Sequence, residues 1–208
     1  TMMIPTEVTI VANFETVRSF CGEDPRPALE RGAGALTESS RLGPKEGPLF
    51  LTANQLGLIR LHYLTRHGQD ILSSLLSALE WAQQGTKLYP SWPALWVDLA
   101  HLYLMRAEHQ TAQGQESKPD LEEAVATLRR ALQAQPQDIP AHAALGQALV
   151  RLAARDYNHG ENPLPLLTQA REHFSTVLGA AAHRDNAEAG AGLRESFILE
   201  AEYRLALG

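Results

Sequence analysis

Glycine, large apolar and small apolar positions recur along this chain with one long period. Gly22, Gly68, Gly114 and Gly160 stand 46 residues apart. Seven residues after each comes a leucine (Leu29, Leu75, Leu121, Leu167), and ten after each a small residue (Gly32, Ala78, Ala124, Ala170). The phase runs through three full periods without an insertion, the mark of a stacked repeat. One such unit cannot bury its apolar face alone, so neighbouring units must stack to close a core.

Within a unit the pattern predicts two helices. Pro44, Pro90 and Pro136, with Ala182 in the fourth unit, lie 22 residues after the glycines. A proline there stops one helix and leads into the next, because the residue before it is pushed out of the α region. Each glycine suits a left-handed C-cap, and Asp24, Asp70, Ser117 and Asn162 are the N-cap residues expected for the helices that follow. The elements expected are nine helices, near 5–20, 26–42, 47–66, 70–88, 92–112, 118–134, 139–158, 164–180 and 185–207. Val8-Thr9-Ile10-Val11 taken alone alternates like a strand, and its phase with the later units assigns it to the leading helix. One domain is expected over 1–208, with a leading helix at 1–21 and units at 22–67, 68–113, 114–159 and 160–208.

The residues that fill these slots carry a family likeness. Trp96-Val97-Asp98-Leu99-Ala100-His101-Leu102-Tyr103 resembles the W-x-x-L-G-x-x-Y signature of tetratricopeptide (TPR) repeats, with Ala100 in the glycine slot. His142, Leu145, Gly146 and Leu149 take the same four slots in the next unit. The second-helix signature, A-x-x-x-F-x-x-A and then proline, is met by Ala124, Leu128, Ala131 and Pro136, and by Ala170, Phe174, Val177 and Ala182. The first unit (Phe50, Ala53, Asn54, Gly57) and the last helix (Glu188, Ala191, Gly192, Glu195) depart from it and are placed by phase. The resemblance implies an all-α, right-handed α-solenoid of helix-turn-helix repeats. Its usual period is about 34 residues, so each unit here carries about twelve more. They fall between the two helices, in 103–114 and 149–160, and read as an elongated first helix followed by a glycine-led loop. This enlarged unit, with the connection Gly22-Glu23-Asp24-Pro25-Arg26-Pro27-Ala28-Leu29, resembles the arrays attached to large bacterial serine/threonine protein kinases.

What the resemblance implies for function is binding. In TPR proteins the concave wall is lined by the first helix of each pair, and ligand contacts cluster at defined slots of it. Here those slots hold Val97, the polar series Gln55, His101 and Gln147, and then Leu104, Met105 and Arg151. Glutamine and histidine offer both donors and acceptors for the backbone of an extended peptide, and Val97, Leu104 and Met105 would supply pockets. Arg151 alone falls short of the cluster of basic residues that a carboxylate clamp needs.

Composition narrows the classes further. The chain is 44% apolar and 20% charged, with a net charge of −6, which argues against general affinity for nucleic acid. The single cysteine, Cys21, is expected as a small buried residue of a reducing cytoplasm, and no apolar run is long enough for a membrane span. No H-E-x-x-H occurs, and neither His62/His67 nor His101/His109 is spaced by one helical turn. His183-Arg184-Asp185-Asn186 lacks the asparagine that a kinase catalytic loop requires five residues after its aspartate, since position 190 is Gly190. Gly32-Ala33-Gly34 lacks the third glycine of a phosphate loop. A non-enzymatic scaffold without metal or cofactor is expected, binding a protein or peptide and regulating an attached signalling enzyme such as a kinase domain of the same polypeptide. The alternative is a self-assembly module that forms homo-oligomers. Thr1 at the start and the apolar Leu205-Ala206-Leu207-Gly208 at the end suggest a piece of a longer protein.

Overall fold

A computed structural model describes residues 47–180 and 186–207. The described residues form seven helices: α1 (Gly47–Arg66), α2 (Leu72–Leu88), α3 (Pro93–Ala112), α4 (Lys118–Ala134), α5 (Ile139–Asn158), α6 (Leu164–Gly179) and α7 (Ala187–Ala206). The expected leading helix and the helix near 26–42, like Cys21, lie outside the described residues. The chain divides into two compact units, Thr1–Pro90 and Ser91–Gly208. α1 and α2 belong to the first, the other five helices to the second.

The sequence period reappears as geometry. α1, α3 and α5 are each 20 residues long and begin 46 residues apart, as do α2, α4 and α6. What ends each long helix is glycine. Gly68, Gly114 and Gly160 have φ of 63°, 68° and 75°, a conformation that costs an L-residue about 1–2 kcal/mol. In each case the residue after the glycine donates its backbone N–H to a carbonyl five residues back: Gln69 to Leu64, Gln115 to Gln110 and Glu161 to Asp156, at 2.8–2.9 Å. This Schellman turn satisfies carbonyls that the helix end leaves open.

At the N-cap positions of the short helices, Ile71, Ser117 and Pro163, no side chain caps. The residue before each accepts from the first helical amide instead, so Asp70 and Asn162, expected at the N-cap, stand one position before it. Asp70 and Asn162 accept from the amides of Leu72 and Leu164, both at 3.0 Å. The residue in their phase in the middle unit is Glu116, which accepts from the Lys118 amide at 2.8 Å. Ser117 does not cap; its hydroxyl accepts from Thr111 Oγ1 instead. The last helix starts at Ala187 rather than 185 because Asn186 caps it, accepting from the Ala189 amide.

In the second unit each helix packs against the next, and α5 also packs against both α3 and α7. The three first helices thus lie side by side, with α4 and α6 behind them. Small residues set the approach. Ala100, Ala124, Ala131 and Ala170 are fully buried, and Phe174 of α6 lies against both Gly146 of α5 and Gly192 of α7. A Cβ built on either glycine would collide with the ring, at 2.6 Å for Gly146. Burying that phenylalanine contributes about 2–3 kcal/mol. Val150, Leu152 and Ala153, in the lengthened part of α5, are buried as well, and Ala153 clusters with Leu167 of α6 and Leu199 of α7. Arg106 clamps the buried Asp120 of α4 through Nε and Nη2.

The slot of Trp96 is filled differently in each unit. Phe50 of α1 packs on Gly85 and meets the rings of Trp81 and Tyr89 at 5.8 and 6.2 Å. Trp96 lies under the Arg130 guanidinium. His142 meets His173 of α6, Nδ1 to Nδ1 at 2.9 Å, while its Nε2 donates to the Pro136 carbonyl at 3.0 Å. In α1 the glycine slot holds Asn54, fully buried, with no hydrogen-bond partner for either side-chain atom among the described residues.

Gly192→Ala should lower unfolding free energy by about 1–3 kcal/mol despite alanine's better helix propensity, and adding Phe174→Leu should recover most of the loss in chemical denaturation. Burial first, and then the charges of His142 and Arg129, hold His173 down at about 4 against an ordinary 6.5. Its unfolded form therefore binds the proton first, and its contribution, whole above pH 6.5, drains away as pH falls toward 4. Thermal melts of His173→Phe between pH 6.5 and 5 should show a flatter pH dependence than wild type; an unchanged slope would remove this histidine as the cause.

Candidate functional site: the groove between α3 and α5

The side-by-side packing of α3 and α5 aligns two stripes of side chains. Val97, His101, Glu108 and Thr111 follow one face of α3, and Ala143, Gln147, Arg151, Ala154 and Asn158 follow one face of α5, at steps of three, four and seven residues. Two clefts open along them. The smaller, about 270 Å³, is lined by Val97, His101, Ala143, Gln147 and the α7 start, Asn186 and Glu188. The larger, about 850 Å³, is lined by the C-terminal ends of α3 and α5, the loop 114–117 and Leu121 of α4.

Polar groups on the first cleft are tied to one another. Gln147 Nε2 donates to Glu188 Oε1 at 2.5 Å, so the α5 amide is oriented by the α7 carboxylate and its own oxygen is turned elsewhere. Further along, Arg151 bridges to Glu108 across the groove. The carboxylates of Glu195 and Glu188 also act on Arg151, whose side chain is 43% exposed. One guanidinium thus stands among acids from α3 and α7.

The far wall of the large cleft is held by a second guanidinium. Arg155 reaches Glu116 at 2.9 Å, Asp156 at 3.3 Å and Glu161, with its side chain only 12% exposed. Lys118 joins Glu161 at 2.7 Å and Asp156 at 3.4 Å. These bonds raise the pKa of Arg155, first through Glu116, and of Lys118, first through Glu161. They lower those of Glu116 and Glu161, the first chiefly through the Lys118 amide and the second chiefly through the Lys118 ammonium. The network ties the loops that follow α3 and α5 to each other.

The residues expected from sequence fall in different places. His101 and Gln147 are half-buried and line the small cleft with Val97, whose side chain is buried. Leu104 and Met105 are also buried and line neither cleft. Arg151 is exposed on the large cleft, already engaged by Glu108. Gln55 is half-buried on α1, in the first unit. Sequence reasoning did not find Glu188, Glu108, the Arg155 network or the large cleft. The four-residue step from Arg151 to Arg155 was the available signal, since it carries the same stripe into the lengthened part of the unit.

No protein-family model and no curated protein matches the chain. A crystal structure does. It is that of TTC0263, a thermophilic TPR protein of Thermus thermophilus, with a TM-score of 0.51 over 96% of this chain and 98% of that one, at 17% identity. The likeness is one of fold: an all-helical, TPR-like repeat. Among the described residues no helix is long and apolar enough to cross a membrane, and no three His, Cys, Asp or Glu side chains are grouped to hold a metal ion.

If Arg155 fastens the loops, Arg155→Met should speed hydrogen exchange of the Gln115 and Glu161 amides by about tenfold or more while leaving the centre of α6 protected. Unchanged exchange at both amides would show that the glycine turns alone hold the loops.

Proposed function

We propose that this chain is a non-enzymatic protein-interaction repeat that holds an extended segment of a partner in the groove between α3 and α5. The observation that carries the reading is that His101 and Gln147, one period apart on adjacent helices, reach one cleft whose remaining α3 and α5 lining is apolar. A peptide backbone presents both donors and acceptors, and imidazole and amide groups can answer both. In this reading Val97 forms the floor, Leu104 and Met105 support it from beneath, and Arg151 marks the start of the second cleft. Gln55 takes the same slot of α1 and has the same role within its own unit.

The narrower reading belongs here too. Units of 46 residues in a single right-handed superhelix over 1–208 would be an array of the kind carried by large bacterial serine/threonine kinases. Such a module would regulate an attached signalling enzyme in the cytoplasm. The regular spacing of the helices supports it.

A second reading, self-assembly, is favoured by α7. Ile198 and Leu205 are 59% and 82% exposed, and Phe197, also exposed, has Arg171 over its ring. A second copy could cover this face.

A photo-crosslinker at position 143, which lines the small cleft, identifies the segment bound there. Against that segment, His101→Ala with Gln147→Ala should weaken binding by about tenfold or more, since hot-spot truncations cost more than about 1–2 kcal/mol. A loss below about 1 kcal/mol would place binding elsewhere. Sedimentation of the same samples separates the second reading: a dimer dissolved by Ile198→Glu with Leu205→Glu would favour assembly.

A further inference from the structure

We infer that the large cleft, built by the extra residues of the long unit, receives a lysine or arginine of the bound partner segment. The inference rests on the proposed peptide groove and adds what that peptide must carry. The geometry of the groove comes first. The cleft is lined mainly by residues 107–117 and 151–159, which include most of the stretch that lengthens this unit beyond the usual period of about 34. Its stripes continue those of the small cleft, so one segment can pass from His101 to Thr111. From Val97 to Ala112 the helix rises about 22 Å at about 1.5 Å per residue, room for about seven extended residues.

Charge selects the residue. Four carboxylates are ion-paired with the cations here: Glu108 and Glu116, which line the cleft, and Asp156 and Glu161 behind its wall. They face three cations, Arg151, Arg155 and Lys118. Arg155 already spans three carboxylates. Arg151 is bridged by Glu108 and felt by two more acids. A partner carboxylate would therefore have to displace resident acids. A partner cation would add to a field in surplus, strengthened by the C-terminal ends of α3 and α5, each worth about half a negative charge. Glu108 and Glu116 line the cleft with side chains 58% and 54% exposed, so each keeps lone pairs for a further donor. His159 also lines the cleft, with Nδ1 against the Arg155 carbonyl.

Shape selects the same residue. Ala107, Ala112, Leu121 and Ala154 give the cleft a small, apolar lining, suited to the methylene stem of a long basic side chain whose head remains among acids.

The test uses the full chain and three pools of fluorescent peptides of about nine residues, randomised over uncharged residues, with a central lysine/arginine, glutamine or glutamate. Anisotropy at about 0.05 M salt should show the basic pool binding at least about tenfold more tightly than the glutamate pool, and about 0.5 M salt should erase most of the difference. Glu108→Gln with Glu116→Gln should reduce the preference to about threefold or less. Glu122→Gln, on the exposed face of α4, should leave it intact, and thermal melts of all variants check folding. Equal binding of the three pools, or tighter binding of the glutamate pool, would overturn the basic residue while leaving the groove standing. A preference untouched by Glu108→Gln/Glu116→Gln would overturn its assignment to this cleft. Binding of no pool above the level of His101→Ala/Gln147→Ala would instead overturn the groove itself.

Discussion

A left-handed glycine after each of α1, α3 and α5 fixes how far that helix runs and where the chain turns back. Gly68, Gly114 and Gly160 each reverse the chain while the next residue closes onto a carbonyl five residues earlier. Only a residue without a Cβ takes that turn without penalty. Because each of these helices runs for 20 residues before its turn, Ala107, Leu152 and Ala153 fall inside the packed region, while Glu108, Thr111, Arg151 and Asn158 fall on the groove. A turn placed two helical turns earlier would remove Glu108, Thr111 and Asn158 and leave α5 without its cluster against α6 and α7. The length of the unit and the presence of the large cleft are consequences of one backbone position.

The second determinant is how closely the helices approach. Phe174 fits between Gly146 and Gly192 because neither has a side chain, and that approach brings α7 near enough to α5 for Glu188 to reach Gln147. The polar pattern of the groove depends on this apolar contact behind it. Replacing alanine or glycine there would act at a distance, by moving α7 and with it the carboxylates that surround Arg151.

Most of the fold was legible because both signals that define it are local and periodic. The bounds of α1, α3, α4 and α5 match the expected ranges closely, since proline near each start, and past the end a glycine for α1, α3 and α5 or Pro136 for α4, leave little freedom. Where local chemistry departs from the period, expectation slipped: Asn186 caps α7 and starts it at Ala187 rather than 185, and Glu116 rather than Ser117 bonds the first amide of α4. The groove was legible in part. Phase placed His101 and Gln147 on adjacent helices, yet it could not show that Leu104 and Met105 point into the packed layer, because four-residue steps on a helix cover both a groove and its flank. Nor could it pair Arg151 with Glu108 or Arg155 with Glu116. Those partners are about 40 residues apart in sequence and meet only through helix packing.

The filling of the Trp96 slot shows what kind of constraint the repeat imposes. Phe50 is held by aromatic rings and Gly85, Trp96 by a guanidinium, and His142 by a second histidine and a carbonyl. Volume and a satisfied edge are required there, and the chemistry is free. The groove works in the opposite way. Its charged side chains contribute little to packing, being half-buried or exposed, but they are coupled across three helices. One substitution at Glu108 or Glu188 would change the field at Arg151 without disturbing the core. Packing that tolerates chemical variety at the Trp96 slot lets the charges of the groove vary while the fold is kept, provided the Phe174 contact behind them stays in place.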